Sequence, residues 1–200
     1  MIAFELSDGE LDWLPAIVPG GVHESLVAAG VIGHPFFGDG EHEAAWVETR
    51  TWWYRATLDV PPGAVLRFDG LDGVATVTLD GEVLGTHANQ HRPATFDVSR
   101  FAGAGRRLLV RFDPPLDGIE LDDRVDDLLR MYERIRPGAV PDRELLALRL
   151  QRVRRRKAAC SWGWDFGLRL PSIGLYRPVA VEVAQPAPVH VRTRSLGATA

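Results

Sequence analysis

The sequence predicts an all-β fold, a jelly-roll β-sandwich interrupted by one inserted helical hairpin. Residues 50–60 alternate apolar and polar side chains with period two, the mark of a long half-buried strand. Asp80-Gly81 falls between two short apolar runs, which is a strong hairpin signal. The remaining strand-like segments follow one another across turn residues with no helix between each pair, which disfavours a parallel α/β sheet.

Taken in order, "VPGGVHESLVAAGVIGHPFFGDGEHEAAW" carries a short helical pattern from about Val22 to Ala29, stopped by Gly30, and then a Gly/Pro/Asp-rich loop. It reads as a lead-in. Trp52, Tyr54, Ala56, Leu58 and Val60 then point one way, with Thr51, Arg55, Thr57 and Asp59 the other. Trp53 adds an aromatic to the polar side and reads as cover for a neighbouring element. After "PPG" come the antiparallel strands "AVLRFDG", "VATVTLDG" and "EVLGT", then "ATFDV" and "RRLLVRFD". In the last, Leu108, Val110 and Phe112 oppose Arg107 and Arg111, with Leu109 the exception.

Residues 120–157 hold two helical patterns separated by "RPGAVP". The first is acidic early, at Asp122, Asp123, Asp126 and Asp127. The second is basic late, at Arg152, Arg154, Arg155, Arg156 and Lys157, as helix dipoles favour. The basic run leads straight into the next strand and has acids nearby to neutralise it, so it does not read as a nucleic-acid patch. Strand pattern resumes with "KAACSW" and again with Val179, Val181 and Val183. Residues 1–185 form one domain on this reading, and 186–200 are a linker and the start of another.

Of 200 residues, 46% are apolar and 25% charged, which describes one globular core. A formal net charge of −4 offers no attraction for phosphate backbones or anionic lipid, and no apolar run approaches the ~20 residues of a membrane helix. The N-terminal "MIAFELSDGELDWLP" is acidic where a signal peptide is basic, so a cytoplasmic location is expected. Cys160, the single cysteine, reads as a buried small residue.

No cofactor, metal cluster or nucleophile–base pair is legible. The six histidines lack metal-ligand spacing, "GDGEHE" reads as a solvated turn and not a calcium loop, and the two aspartates of "FDGLDG" are explained by turn chemistry. The stretch "CSWGWDFGLRLPSIGLYRPVAVEV" stands apart. Trp162, Trp164 and Phe166 surround one carboxylate, Asp165. An indole can pack on the C–H face of a pyranose while an ionised, partly dehydrated carboxylate accepts hydroxyl protons. On the residues alone, a packed core with Asp165 capping a turn is the other reading, and composition favours it.

Three long segments resemble the N-terminal domain of β-mannosidases of glycoside hydrolase family 2: "WLPAIVPGG" through "TLDVP", "LRFDGLDG" through "FDVS", and "RRKAACSWGWDFGLRLPSIGLYRPVAVE". They span most of residues 13–183 in the family's order. The resemblance implies a galactose-binding-like jelly roll that precedes an immunoglobulin-like domain and a catalytic barrel. It implies an exo-acting, retaining enzyme that removes terminal β-D-mannose with two glutamates about 5–5.5 Å apart, through a covalent glycosyl-enzyme. Neither glutamate is expected here, because the acid/base follows an asparagine and the one asparagine, Asn89, precedes Gln90. By position, Asp165 would hydrogen-bond the terminal mannose and Trp164 would help place it, completing a pocket shared with the missing barrel. Phe166 replaces a frequent tryptophan and Leu168 a frequent proline. Another family 2 specificity, such as β-galactosidase or β-glucuronidase, and a non-catalytic carbohydrate-binding or structural module are the competing expectations.

Overall fold

The computed structural model describes residues 2–120, 124–163 and 167–183. Among these, the period-two segments become nine strands: β1 (Phe4–Ser7), β2 (Leu14–Ala16), β3 (Trp52–Val60), β4 (Ala64–Phe68), β5 (Val74–Leu79), β6 (Glu82–His87), β7 (Ala94–Asp97), β8 (Gly103–Asp113) and β9 (Val179–Val183). They pair into a six-stranded sheet, β2-β1-β3-β8-β5-β6, and a three-stranded sheet, β7-β4-β9. Every pairing is antiparallel. Helices α1 (Val22–Ala28), α2 (Gly40–Glu43), α3 (Arg124–Ile135) and α4 (Arg143–Arg152) complete the fold. The predicted sandwich with a helical insertion is the architecture observed.

The alternation in β3 does what its period requires. Trp52, Tyr54, Leu58 and Val60 are buried, while Arg55, Thr57 and Asp59 face out. Across the ladder Tyr54 opposes Val110 and Trp52 opposes Phe112, so the inward row continues from strand to strand. Leu66 and Phe68 of the small sheet are equally buried. Each such large side chain contributes about 1.5–3 kcal/mol. Tyr54 meets Phe112 edge-on at 5.6 Å, a favoured aromatic geometry. Trp53 covers a neighbouring turn as expected: a Cβ on Gly9 would lie 3.5 Å from its ring.

Two local signals are realised in detail. Asp80 and Gly81 both have positive φ, 50° and 85°, the geometry that lets a two-residue hairpin follow strand twist. The Asp80 carboxylate also accepts the Arg107 N–H at 2.8 Å, which ties the turn to β8. At the end of α1, Gly30 has φ 71°. The Gly30 N–H reaches the Val27 carbonyl and the Val31 N–H the Leu26 carbonyl, the paired bonds of a Schellman stop.

Four expectations are corrected. The first region is more than a lead-in: its helix α1 puts Val22 and Leu26 into the core, and the residues before it form β1 and β2, which extend the large sheet beyond β3. Strands of three and four residues offer too few alternations to be seen in the sequence. "KAACSW" forms a 3₁₀ turn at Ala159–Ser161 and no strand. Cys160 is exposed, since that turn faces outward. The basic run leaves its helix: α4 closes at Arg152, and Arg155 instead donates to the carbonyls of Pro115 (2.8 Å) and Asp117. The predicted acids Asp122 and Asp123 lie outside the described residues, as do positions 184–200.

The turn after β1 is a compact electrostatic unit. Asp8 Oδ1 accepts the N–H groups of Glu10 (3.0 Å) and Leu11 (2.8 Å), and Oδ2 accepts from Arg50. Burial opposes ionisation of Asp8, but the Leu11 N–H, the Arg50 guanidinium and the Glu10 N–H together hold its carboxyl below the ordinary 3.8. A carboxyl lowered by folding contributes stability above its unfolded pKa, and that contribution is lost as pH falls through the folded one. Asp8→Asn should therefore cost about 1–3 kcal/mol at neutral pH, and the two proteins should converge in strong acid. Urea titrations at a series of pH values check this, and a constant gap down to the most acidic point would contradict it.

Candidate functional site

The frame around the predicted sugar-binding loop begins at Trp162 and Arg169, which face each other in an antiparallel bridge. That bridge brings Trp162 and Arg169 side by side. Trp164, Asp165 and Phe166 lie outside the described residues. Trp162 is 6% exposed and belongs to the interior, as the packed-core reading expects for that ring. Gly163 has φ 75°, and a Cβ there would lie 3.3 Å from the Arg169 Cβ. A glycine is required for the chain to turn this tightly against its returning arm.

Arg169 is held three ways. Its backbone N–H donates to Glu41 Oε1 at 2.8 Å, its guanidinium donates to Glu48, and that cation lies 5.6 Å from the Trp162 ring centroid. The "GDGEHE" segment is thus not the solvated turn expected from sequence. It forms α2, whose Glu41 clamps the loop, with Glu48 supplied by the 3₁₀ turn Ala45–Thr49 that follows.

A second tie lies beyond the loop. Asp72 and Lys157 form an ion pair with side chains 2% and 3% exposed. The Lys157 ammonium also donates to the Ser172 carbonyl and, at 3.1 Å, to Ser172 Oγ, which uses all three of its protons. Ser172 Oγ in turn donates to Asp72, whose same oxygen accepts Gln90 Nε2 at 3.1 Å. Gln90 closes the net by accepting the Ala158 N–H on its side chain and the Tyr176 hydroxyl on its carbonyl. Burial pulls the Lys157 ammonium below its ordinary pKa, and the Asp72 carboxylate offsets part of that.

Residues 172–175 are fastened on both sides. Asp72 and Gly174 exchange two backbone hydrogen bonds at 2.9 and 3.0 Å, while Val22 and Gly20 donate to the carbonyls of Ile173 (2.8 Å) and Leu175 (3.0 Å). Next to this spine a cleft of ≈ 420 Å³ opens between α1 and the loop before α2, lined by His23, Glu24, His34, Phe36, Leu170 and Ser172. Desolvation lowers the pKa of His23 and the Lys157 charge adds to the effect, with Glu24 opposing it. The imidazole is neutral at physiological pH and can donate or accept. Among the described residues no group of His, Cys, Asp and Glu is arranged to hold a metal ion.

The sequence reading missed this frame. Asp72 was explained as a turn residue and is 1% exposed; the local "FDGLDG" pattern carries no trace of a partner 85 positions away. Lys157 looked like the tail of a basic run. One signal was available: it is the only lysine in the chain, against 22 arginines (23 Lys+Arg less one). Nothing local marks Glu41, Glu48 or Arg169.

Removing one member of a buried pair strands the other charge, so Asp72→Ala should destabilise the chain by about 3–5 kcal/mol. The joint change Asp72→Leu with Lys157→Met should cost clearly less than Asp72→Ala alone. Chemical denaturation of the three proteins measures this, and equal losses would show that the pair's charges are not coupled.

Comparison with known proteins agrees with this geometry. The profile of the family described as glycosyl hydrolase 2 galactose-binding domain-like matches residues 3–177. The sequence is 32% identical over 177 residues to β-mannosidase B of Aspergillus niger, which covers 86% of this chain and 20% of that protein. The fold superposes on the β-D-mannosidase of Dictyoglomus thermophilum with a TM-score of 0.72 and 29% identity, over 98% of this chain and 24% of that one. An Amycolatopsis orientalis exo-chitosanase, at 18% identity and a TM-score of 0.50 over 57% of this chain and 16% of its own, shares the fold alone. The chain thus spans about one fifth of the length of the curated relatives it matches. A two-sheet sandwich with these matches over nearly its whole length belongs to the galactose-binding-like domain family of glycoside hydrolase family 2.

Proposed function

We propose that this chain is the N-terminal domain of an exo-acting, retaining β-mannosidase and that it contributes one wall of the terminal-sugar subsite through Asp165, with Trp164 beside it. The observation that carries the proposal is the double anchoring of the loop between Trp162 and Arg169: a clamp by Glu41 and Glu48 on one side and the Asp72–Lys157–Ser172 net on the other. Fixed ends at Trp162 and Arg169 shorten the span of chain that has to order when a sugar binds. The likeness to two proteins named β-mannosidase supports the specificity.

In this reading the catalytic couple lies elsewhere in the parent, with the domain at 1–185 followed by a linker and an immunoglobulin-like domain. No cofactor or metal is invoked. The lone cysteine of this chain is compatible with the cytoplasmic location we propose for the parent. Asp165 would act by binding: its hydrogen bonds hold the terminal mannose against the catalytic glutamates, and any that tighten as the ring flattens raise the rate itself.

In the parent enzyme, Asp165→Ala should lower kcat/KM on aryl β-mannosides by roughly tens to thousands of fold, the effect of losing one or two hydrogen bonds to a charged group. The unfolding midpoint should stay close to that of the unaltered parent. Normal kinetics would make Asp165 structural, and a parent that cleaves β-galactosides or β-glucuronides in place of mannosides would overturn the specificity. The 200 residues alone should show no turnover and should bind mannose on the order of millimolar or worse, since one carboxylate and one or two aromatics enclose too little of the sugar. Calorimetric titration checks this, and micromolar binding would make the domain an autonomous lectin-like module.

A further inference from the structure

Phe36 and Phe37 are the most exposed of Phe, Tyr and Trp among the described residues, at 70% and 74%. They do not hang on a loose strand. The His34 ring packs against both, with centroids 5.6 and 5.1 Å away. The Phe37 N–H donates to the His34 carbonyl and the Gly40 N–H to the Phe37 carbonyl, each at 3.1 Å. Pro35 is buried behind them, and a Cβ on Gly40 would come within 2.7 Å of the His34 carbonyl oxygen. The backbone is therefore ordered so as to keep two large apolar rings in water, an arrangement that marks an interaction surface.

Its place in the fold says what covers it. The loop runs directly into α2, whose Glu41 clamps Arg169, and Phe36 shares its cleft with Leu170 and Ser172 on the arm that returns from the Asp165 loop. We infer that the Phe36–Phe37 face docks an apolar surface of the remaining four-fifths of the parent chain, beside the point where that chain meets the Asp165 loop. This rests on the proposed function for the existence of the parent, and on the one-fifth share this chain has of its relatives' length. A glycan is the less favoured occupant. Of the cleft's polar groups, Glu24 accepts the Gly21 N–H, Ser172 Oγ donates to Asp72 and His34 Nδ1 accepts the Phe36 N–H, which leaves chiefly the His23 imidazole, whereas a sugar needs hydroxyl partners around its apolar face.

Hydroxyl-radical footprinting of the full-length parent tests the inference, because phenylalanine is oxidised readily when exposed. Phe36 and Phe37 should be protected severalfold relative to a free phenylalanine standard, at every protein concentration and without added sugar. Oxidation at the rate of an exposed ring overturns it. So does protection that appears only with rising concentration, which means a second copy, or only with added mannobiose, which means a sugar subsite. As a second measurement, Phe36→Ser with Phe37→Ser removes rings that this domain does not bury, so the parent should gain a separate, lower unfolding transition for this domain. An unchanged single transition counts against docking. Assaying the same preparations on aryl β-mannosides keeps the two ideas apart: activity with freely oxidised phenylalanines sinks the docking face and leaves the mannosidase reading standing.

Discussion

The carboxylate of Asp72 and the ammonium of Lys157 meet where three parts of the chain converge: the entrance to β5, the return from the helical insertion, and the arm that comes back from the Trp162–Arg169 loop. Two charges removed from water so completely are a poor bargain for stability unless every remaining proton and lone pair is engaged. Here Ser172 and Gln90 complete the set. The return is geometric. An apolar contact at this junction would tolerate sliding, whereas the ion pair with its directed hydrogen bonds favours one register of Ser172 against Asp72.

That frame also explains the glycines nearest to it. Gly174 has φ 136°, and a Cβ there would meet the Tyr54 hydroxyl at 2.5 Å. The arm can press against the large sheet only because this residue has no side chain. Gly163 serves differently, letting the chain pass close to its returning arm at Arg169. Backbone freedom and buried charge thus serve one end, the close approach of residues 172–175 to the sandwich.

How much of this was legible in the sequence depends on range. β3 and β8 were plain because nine and eleven residues allow the period to declare itself, and the Asp80-Gly81 turn because its chemistry is local. β1 and β2 were too short, and Asp72, Lys157, Glu41 and Glu48 derive their roles from partners 85 to 128 positions away. A buried charge has no local signature, and the end of a helix facing a neighbouring loop looks like any solvent-exposed turn. The resemblance carried by the Gly-Trp-Asp stretch pointed to the chain between Trp162 and Arg169, while the contacts of Arg169, Lys157 and Ser172 that flank it could be found only in three dimensions.

The closure of the helical insertion bears on how such a domain can be remodelled. Arg155 returns to the carbonyls of Pro115 and Asp117, so the excursion from 118 to 154 leaves and re-enters the sandwich through one narrow neck. Its helices pack a small core of their own around Val125, Leu146 and Ala147. Chain inserted beyond a fixed neck adds to the closure entropy only logarithmically, about 0.6 kcal/mol for each doubling of length. The excursion is therefore a port: it can be shortened, lengthened or exchanged for another folded piece at small thermodynamic cost, while Lys157, two residues past the neck, keeps its ties to Asp72 and Ser172.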